Sequence, residues 1–220
     1  MTNTLLVVAK QPSAGQTKTR LCPPLSGEQA ADLYECFLRD TLGIMRLVPN
    51  VRRVIGYLSE NGEGYFHNLA PDMERIRQNG ASLGERLDQL LNAALENGAE
   101  KALVMDSDSP NLPPDYLVMA FEQLDRADVV LGPTEDGGYY LIGMKKPNPH
   151  LLLDVQMSTS HVLSDTLELA RASGVSVALL PSWYDVDTIV DLERLRGELT
   201  QSKNGTGQQS RSWFLANGWI

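Results

Sequence analysis

An apolar stretch at 4–9, Thr-Leu-Leu-Val-Val-Ala, reads as a strand. It runs straight into the loop Lys10-Gln11-Pro12-Ser13-Ala14-Gly15-Gln16-Thr17-Lys18-Thr19-Arg20-Leu21. A buried strand handing over to a short loop with Gly, Pro and three cations is how an α/β sheet presents backbone N–H groups and positive charge at its carboxyl edge. Such an edge suits a phosphate-rich ligand. The chain as a whole carries a net charge of −9, so these cations stand against the general sign of the molecule.

The remaining bulk features narrow the field. A length of 220 residues with 42% hydrophobic content fits a single domain over 1–200, with a tail at 201–220. A pI near 4.8 argues against a protein that wraps nucleic acid, which needs a basic face. A small phosphorylated ligand needs only a local basic pocket. Cys22 and Cys36 have neither CxxC spacing nor a histidine cluster beside them, which disfavours zinc and a structural disulfide. No apolar run is long enough to span a membrane, and the expectation is a soluble, cytoplasmic protein.

Strand and helix patterns alternate. Strands are expected at 4–9, 51–58, 73–77, 101–106, 128–132, 139–143 and 175–180, mostly as short continuous apolar runs of the kind covered on both faces. Ser26 with Gln29, and Ser82 with Glu85, read as capping boxes that open helices. Pro113-Pro114-Asp115 opens another helix, Thr188 caps a last one, and a helix over 160–173 stops at Gly174. Strands 128–132 and 139–143 are too close for a parallel crossover. The expected fold is therefore a three-layer α/β/α sandwich with a mixed, mostly parallel sheet. The tail begins as a linker, and its aromatic end, Trp213, Phe214 and Trp219, either docks or frays.

Several constellations carry chemistry. Lys10, Lys18 and Arg20 suit charge-assisted binding of di- or triphosphate oxygens, with Gly15 allowing close backbone approach. The plain alternative is a solvated basic loop. In Met105-Asp106-Ser107-Asp108-Ser109-Pro110 both carboxylates sit on one side of a strand end. Hard oxygen donors there suit Mg2+ or Mn2+, or else an Asx turn closed by Asp108. In Thr134-Glu135-Asp136-Gly137-Gly138, Asp136 is placed to act as a general base or to bind a hydroxyl, and Gly137 and Gly138 let the loop close on substrate. The same residues also read as a hairpin turn. In Asp185-Val186-Asp187-Thr188, Asp187 can complete a metal site and Asp185 can meet an acceptor, while Asp191 caps the helix. The stretch Gln78–Arg86, with Gly84, offers a helix N-terminus to an anion or nucleobase. His67, His150 and His161 are scattered, and no Ser/His/Asp or Cys/His arrangement supports nucleophilic hydrolysis.

Taken together, AKQPSAGQTKTRL, SLGERL, DSDSPNLP, GPTEDGGYYLIG and WYDVDTIVDL resemble the signatures of small bacterial and archaeal proteins often called DUF2064, over residues 4–199. The resemblance implies a glycosyltransferase A, or nucleotide-diphospho-sugar transferase-like, fold. It also implies nucleotide binding by the Lys10–Arg20 loop and a metal at Asp108. Family members commonly carry Gly at the position of Asp106, and many carry Trp at the position of Met157.

The first functional expectation is a metal-dependent transferase that takes a nucleoside diphosphate sugar and passes the sugar to a small-molecule acceptor. In that scheme Lys18, Asp136 and Asp185 serve catalysis. Lys10, Gly15, Lys18, Arg20, Gln78, Gly84 and Arg86 hold nucleotide, and Asp106, Asp108 and Asp187 hold Mg2+ or Mn2+. The alternative is a nucleotidyltransferase that uses a nucleoside triphosphate and releases pyrophosphate. Lys18-Thr19-Arg20-Leu21 is similar to a run in guanylyltransferases acting on small phosphorylated acids. A non-catalytic nucleotide-binding protein is a third possibility.

Overall fold

A computed structural model describes residues 2–58, 60, 62–201 and 205–220. Among these, seven strands form one sheet: β1 (Thr2–Ala9), β2 (Val51–Tyr57), β3 (Glu74–Arg77), β4 (Ala99–Met105), β5 (Val129–Pro133), β6 (Tyr139–Met144) and β7 (Val177–Leu179). Their order is β3-β2-β1-β4-β6-β5-β7. β6 runs antiparallel to β4 and β5, and the other pairings are parallel. This is the mixed sheet that the short 133–139 connection requires.

Side chains alternate across the sheet and build two cores. Leu5, Val7, Leu103 and Met105 face one side, where they pack with Phe37 of α1 (Gly27–Leu47), Leu117 of α4 (Pro114–Gln123) and Leu195 of α7 (Ile189–Gln201). Leu6, Ala102 and Val104 face the other side, against Leu90 of α3 (Leu83–Glu96), Leu152 of α5 (His150–Leu153) and Ala170 of α6 (Val162–Ala172). From β1 the chain moves to β2 and β3 on one flank, and later to β4 on the other. Beyond the carboxyl ends of β1 and β4 lies the crevice that open α/β sheets use for ligands.

The local signals do their expected work. Ser26 Oγ accepts from Gln29 N (3.1 Å) while Gln29 Oε1 accepts from Ser26 N (2.9 Å). Ser82 Oγ accepts from Glu85 N (3.1 Å), but Glu85 Oε2 reaches one residue further back, to Ala81 N (2.8 Å). Three helices escape local reading, the single turn of α5 among them. α2 (Gly62–Leu69) carries two glycines, poor helix formers. α8 (Gln208–Ala216) begins at Gly207, which has no side chain to cap it.

The cap for α8 comes from α1. Asp40 accepts from Gln209 N (2.8 Å), Ser210 N (2.8 Å) and Ser210 Oγ (2.6 Å). Trp213 and Phe214 join the core that holds Phe37, and Trp219 packs on both rings at centroid distances of 6.2 and 6.1 Å. The aromatic end of the tail is thus docked, while 202–204 of the expected linker lie outside the described residues. No helix of the described residues is long and apolar enough to cross a membrane.

Asp40→Ala leaves two N–H groups and a hydroxyl unpaired at a buried helix start, and should cost about 2 kcal/mol. Urea unfolding followed by tryptophan emission checks this, with a red shift expected as Trp213 loosens. Unchanged stability would show that α8 docks by its aromatic face alone.

Candidate active site

The loop after β1 is built to turn Lys18 inward. Ser13 O accepts from Gln16 N and Thr17 N, both at 3.1 Å, and Thr17 Oγ1 accepts from Ser13 N at 3.0 Å. Lys18 then takes a left-handed backbone (φ 48°) before a short 3-10 turn, Thr19–Leu21, whose Leu21 is fully buried. A side chain larger than Gly in that region costs about 1 kcal/mol, and the contacts of Lys18 offset it. Its ammonium lies 2.5 Å from Asp108 Oδ1 and donates to Asp187 Oδ1 (2.9 Å) and Val186 O (2.8 Å). Burial works to lower its pKa, but Asp108 and Asp187 outweigh this and hold the ammonium above its ordinary value.

Two segments deliver the carboxylates. At the end of β4, Asp106 N donates to Tyr140 O (3.0 Å) of β6, and Asp106 Oδ1 accepts from Asp108 N (2.9 Å). The Asx turn anticipated here exists, with Asp106 rather than Asp108 as its acceptor. The segment before α7 is pinned by Asp191, whose Oδ2 accepts from Thr188 N (2.7 Å) and Asp187 N (3.2 Å). Val186 N donates to Asp108 O (2.9 Å), and Ser109 Oγ donates toward Tyr184 O (2.9 Å) and Asp185 Oδ1 (3.0 Å). The two acidic segments are therefore stitched side by side.

Their environments differ. Burial, then the Asp185 and Asp108 carboxylates, raises the Asp106 carboxyl well above the usual range. Burial, then Asp108, pushes Asp185 up to about 7. Asp187 is held low in spite of its burial, because Lys18 and Arg20 lie against it. Arg20 Nη1 is 3.3 Å from Asp187 Oδ2. Among the described residues, no group of three or more His, Cys, Asp or Glu side chains is arranged to hold a metal ion. The expected set of Asp106, Asp108 and Asp187 comes together at the cleft wall, but the Lys18 ammonium sits between Asp108 and Asp187.

The two larger clefts formed by the described residues at this edge lie side by side. One, of about 410 Å³, lies on the β2 side and is lined by Lys10, Lys18, Arg20, Tyr34, Gln78 and Arg86. The other, of about 460 Å³, lies toward β6 and is lined by Thr134, Asp136, Gly138, Tyr139, Met157 and Asp185. Arg20, Asp106, Asp108 and Asp187 line both. Arg86 Nε is buried without a hydrogen-bond partner. Gln78 spends its amide N–H on Gly56 O (2.7 Å) and Ala9 O (3.5 Å), which fixes which end of the side chain remains for a ligand.

Some expected site residues serve the scaffold instead. Gly15 (φ 72°) turns the loop and does not line either cleft. Gly84 is where α3 meets the chain at Leu152, since a Cβ there would lie 2.1 Å from Leu152 O. Gly137 (φ 94°) is likewise pressed on Ser160 O, so its role is to let loop 134–138 pack on 158–160. Asp136 Oδ1 accepts from Thr134 Oγ1 (2.6 Å) and Gly138 N (3.2 Å), so the hairpin turn and the cleft position hold together. His161 precedes α6 outside both linings. Tyr34 carries no functional signal in the sequence. Its buried hydroxyl meets Ser107 Oγ at 2.8 Å and accepts from Lys10 N at 3.5 Å, and it floors the β2-side cleft. Its helical register marks it only as core.

Sheet order, carboxyl-edge clefts and acidic wall together define an α/β domain of the nucleotide-diphospho-sugar transferase type. Residues 42–159 match the model of a family described as uncharacterized proteins conserved in bacteria, DUF2064, and the chain belongs to that family. A crystal structure from Desulfovibrio desulfuricans G20, whose assignment as a nucleotide-diphospho-sugar transferase is provisional, shares 30% identity and superposes with a TM-score of 0.91. The match covers 100% of this chain and 96% of that one. The 2-phospho-L-lactate guanylyltransferase of Methanothermobacter thermautotrophicus is 26% identical over 198 residues, 84% of this chain and 82% of that protein. Rv0371c of Mycobacterium tuberculosis H37Rv, solved with manganese, shares the fold at a TM-score of 0.55 and 16% identity, over 88% of this chain and 98% of that one. A guanylyltransferase is a nucleotidyltransferase, so the alternative expectation is better supported than glycosyl transfer.

Between an ordinary carboxyl pKa of 3.8 and its raised value of about 7, native Asp185 keeps a proton that the unfolded chain has lost. Its contribution to stability therefore falls as pH rises through that window and is level above it. Asp185→Asn removes this slope, so the variant's Tm relative to wild type should climb from pH 4 to pH 7. A constant difference would contradict the raised value. Gly137→Ala should displace loop 134–138 and cost about 1–3 kcal/mol. Thermal melts measure the cost, and an unshifted Tm would refute the close approach.

Proposed function

We propose that this protein is a nucleotidyltransferase. A nucleoside triphosphate occupies the β2-side cleft, and a small phosphorylated substrate occupies the β6-side cleft. The observation that carries this reading is the shared wall of the two clefts, Asp106, Asp108, Asp187 and Arg20. A group passing from one ligand to the other must cross there. The guanylyltransferase relative supports the same chemistry.

Binding follows from charge and shape. Lys10, Arg20 and Arg86 neutralise the triphosphate, and Gln78, which lines the same cleft, is the group offered to the base. An oxygen of the acceptor phosphate attacks the α-phosphorus, the bond from that phosphorus to the bridging oxygen breaks, and pyrophosphate leaves. A phosphate nucleophile is already ionised, so no base has to take a proton. Asp136 and Asp185 then position the acceptor rather than activate it.

The wall also bears on a divalent ion. Its donors are carboxylate oxygens, the kind that suits Mg2+ or Mn2+, and Lys18 shows that a cation is stable between them. Asp108, with Asp106 or Asp187, would hold such an ion together with nucleotide phosphates. When bound, it would neutralise charge on the departing pyrophosphate.

The test is a matrix of nucleoside triphosphates against small phosphorylated acceptors, read as pyrophosphate release. Acceptor-dependent pyrophosphate from one triphosphate is expected, falling by about 100-fold or more in Asp108→Ala assayed well below that variant's own Tm. Turnover of a nucleoside diphosphate sugar, with nucleoside diphosphate released and no pyrophosphate, would replace this reading with glycosyl transfer.

A further inference from the structure

The Lys18 ammonium has three protons to donate and three acceptors within reach: Asp108 Oδ1 at 2.5 Å, Asp187 Oδ1 at 2.9 Å and Val186 O at 2.8 Å. Its side chain is only 6% exposed. In this arrangement none of its protons is left for a phosphate oxygen, although the sequence places it in the phosphate-binding loop. It also fills the gap between the two carboxylates that a divalent ion would bridge. One cation-sized space has two claimants.

We propose that Lys18 is the resident counter-cation of Asp108 and Asp187, and that it excludes a divalent ion from them until nucleotide phosphates draw it away. The ammonium and the metal then bind in exclusion at one place. When a triphosphate enters the β2-side cleft, its oxygens offer Lys18 a new set of acceptors, and the vacated carboxylates accept the ion that accompanies the phosphates. Metal binding is thereby conditional on nucleotide. Arg20 does not impose the same block, because its guanidinium pairs with Asp187 alone among the described carboxylates and its side chain is 68% exposed. The exchange keeps the charge at the wall compensated throughout, which matters because Asp106 lines both clefts and Asp185 lines the β6-side one. The inference rests on the nucleotide-binding reading only for the step that withdraws Lys18. The exclusion of metal by Lys18 stands apart from it.

The test therefore begins without nucleotide. Mn2+ binding is followed by the loss of the free-ion EPR signal in wild type, in Lys18→Met and in Lys18→Met/Asp108→Asn. Lys18→Met keeps the length of the side chain and removes its charge. It should bind Mn2+ at least tenfold more tightly than wild type, and the added Asp108→Asn should cancel the gain. Lys18→Gln, which keeps a donor for Val186 O, supplies the same comparison if the methionine variant does not fold. Micromolar Mn2+ binding by wild type without nucleotide would overturn the proposal, and so would equal affinity in wild type and a folded Lys18 variant. Adding a non-hydrolysable triphosphate to wild type should then raise Mn2+ retention above that of the same nucleotide in buffer. If only this last step fails, the nucleotide reading is at fault and the exclusion remains.

Discussion

Lys18 and its carboxylate partners hold together the parts of the molecule that matter for function. The first loop of the chain and the segment before α7 meet through one ammonium, from residue 18 to residues 186 and 187. The ammonium is buried while its carboxylates are 35% and 39% exposed, so the pair gains little net energy over an apolar contact, and removing either carboxylate leaves a buried ammonium short of a partner. Its worth lies in register. It fixes the cationic loop against the acidic wall, and with Arg20 it keeps a cluster of carboxylates compatible with a protein interior.

The sheet explains why that cluster sits where it does. β1 and β4 are neighbours whose following loops depart at the same edge, and antiparallel β6 brings Tyr140 beside Asp106 to close the acidic strand end. The reversal of β6 does more than satisfy a short connection. It turns the loop before β6, with Asp136 and Gly138, toward the same edge, and so creates the second cleft. A wholly parallel sheet would leave that side to a crossover helix.

Much of this was legible in the sequence because it is written locally. Short apolar runs mark the strands, and Ser26, Ser82 and Thr188 mark helix starts within a few residues of their partners. The acidic pairs at 106/108 and 185/187 stand out as carboxylates at strand and helix ends. What was not legible depends on contacts between distant residues. The start of α8 is capped by Asp40, 169 positions away in the case of Gln209. Gly15 and Gly84 read as ligand-facing because glycine beside a cationic loop or helix start suits an anion, yet one turns the chain and the other admits a neighbouring carbonyl. Lys18 is the sharpest case, since its sequence context names phosphate while its neighbours in space are carboxylates. Tyr34 has an apolar helical period that conceals a hydroxyl reaching the cleft floor.

The central claim is that nucleoside triphosphate and acceptor meet across one acidic wall. A crystal structure with a non-hydrolysable triphosphate and Mn2+ tests it most directly. The account predicts the triphosphate along Lys10, Arg20 and Arg86, its base toward Gln78, and its α-phosphorus facing the β6-side cleft beside Asp108. A nucleotide bound with its α-phosphorus turned away from that cleft, or seated elsewhere on the molecule, would contradict it.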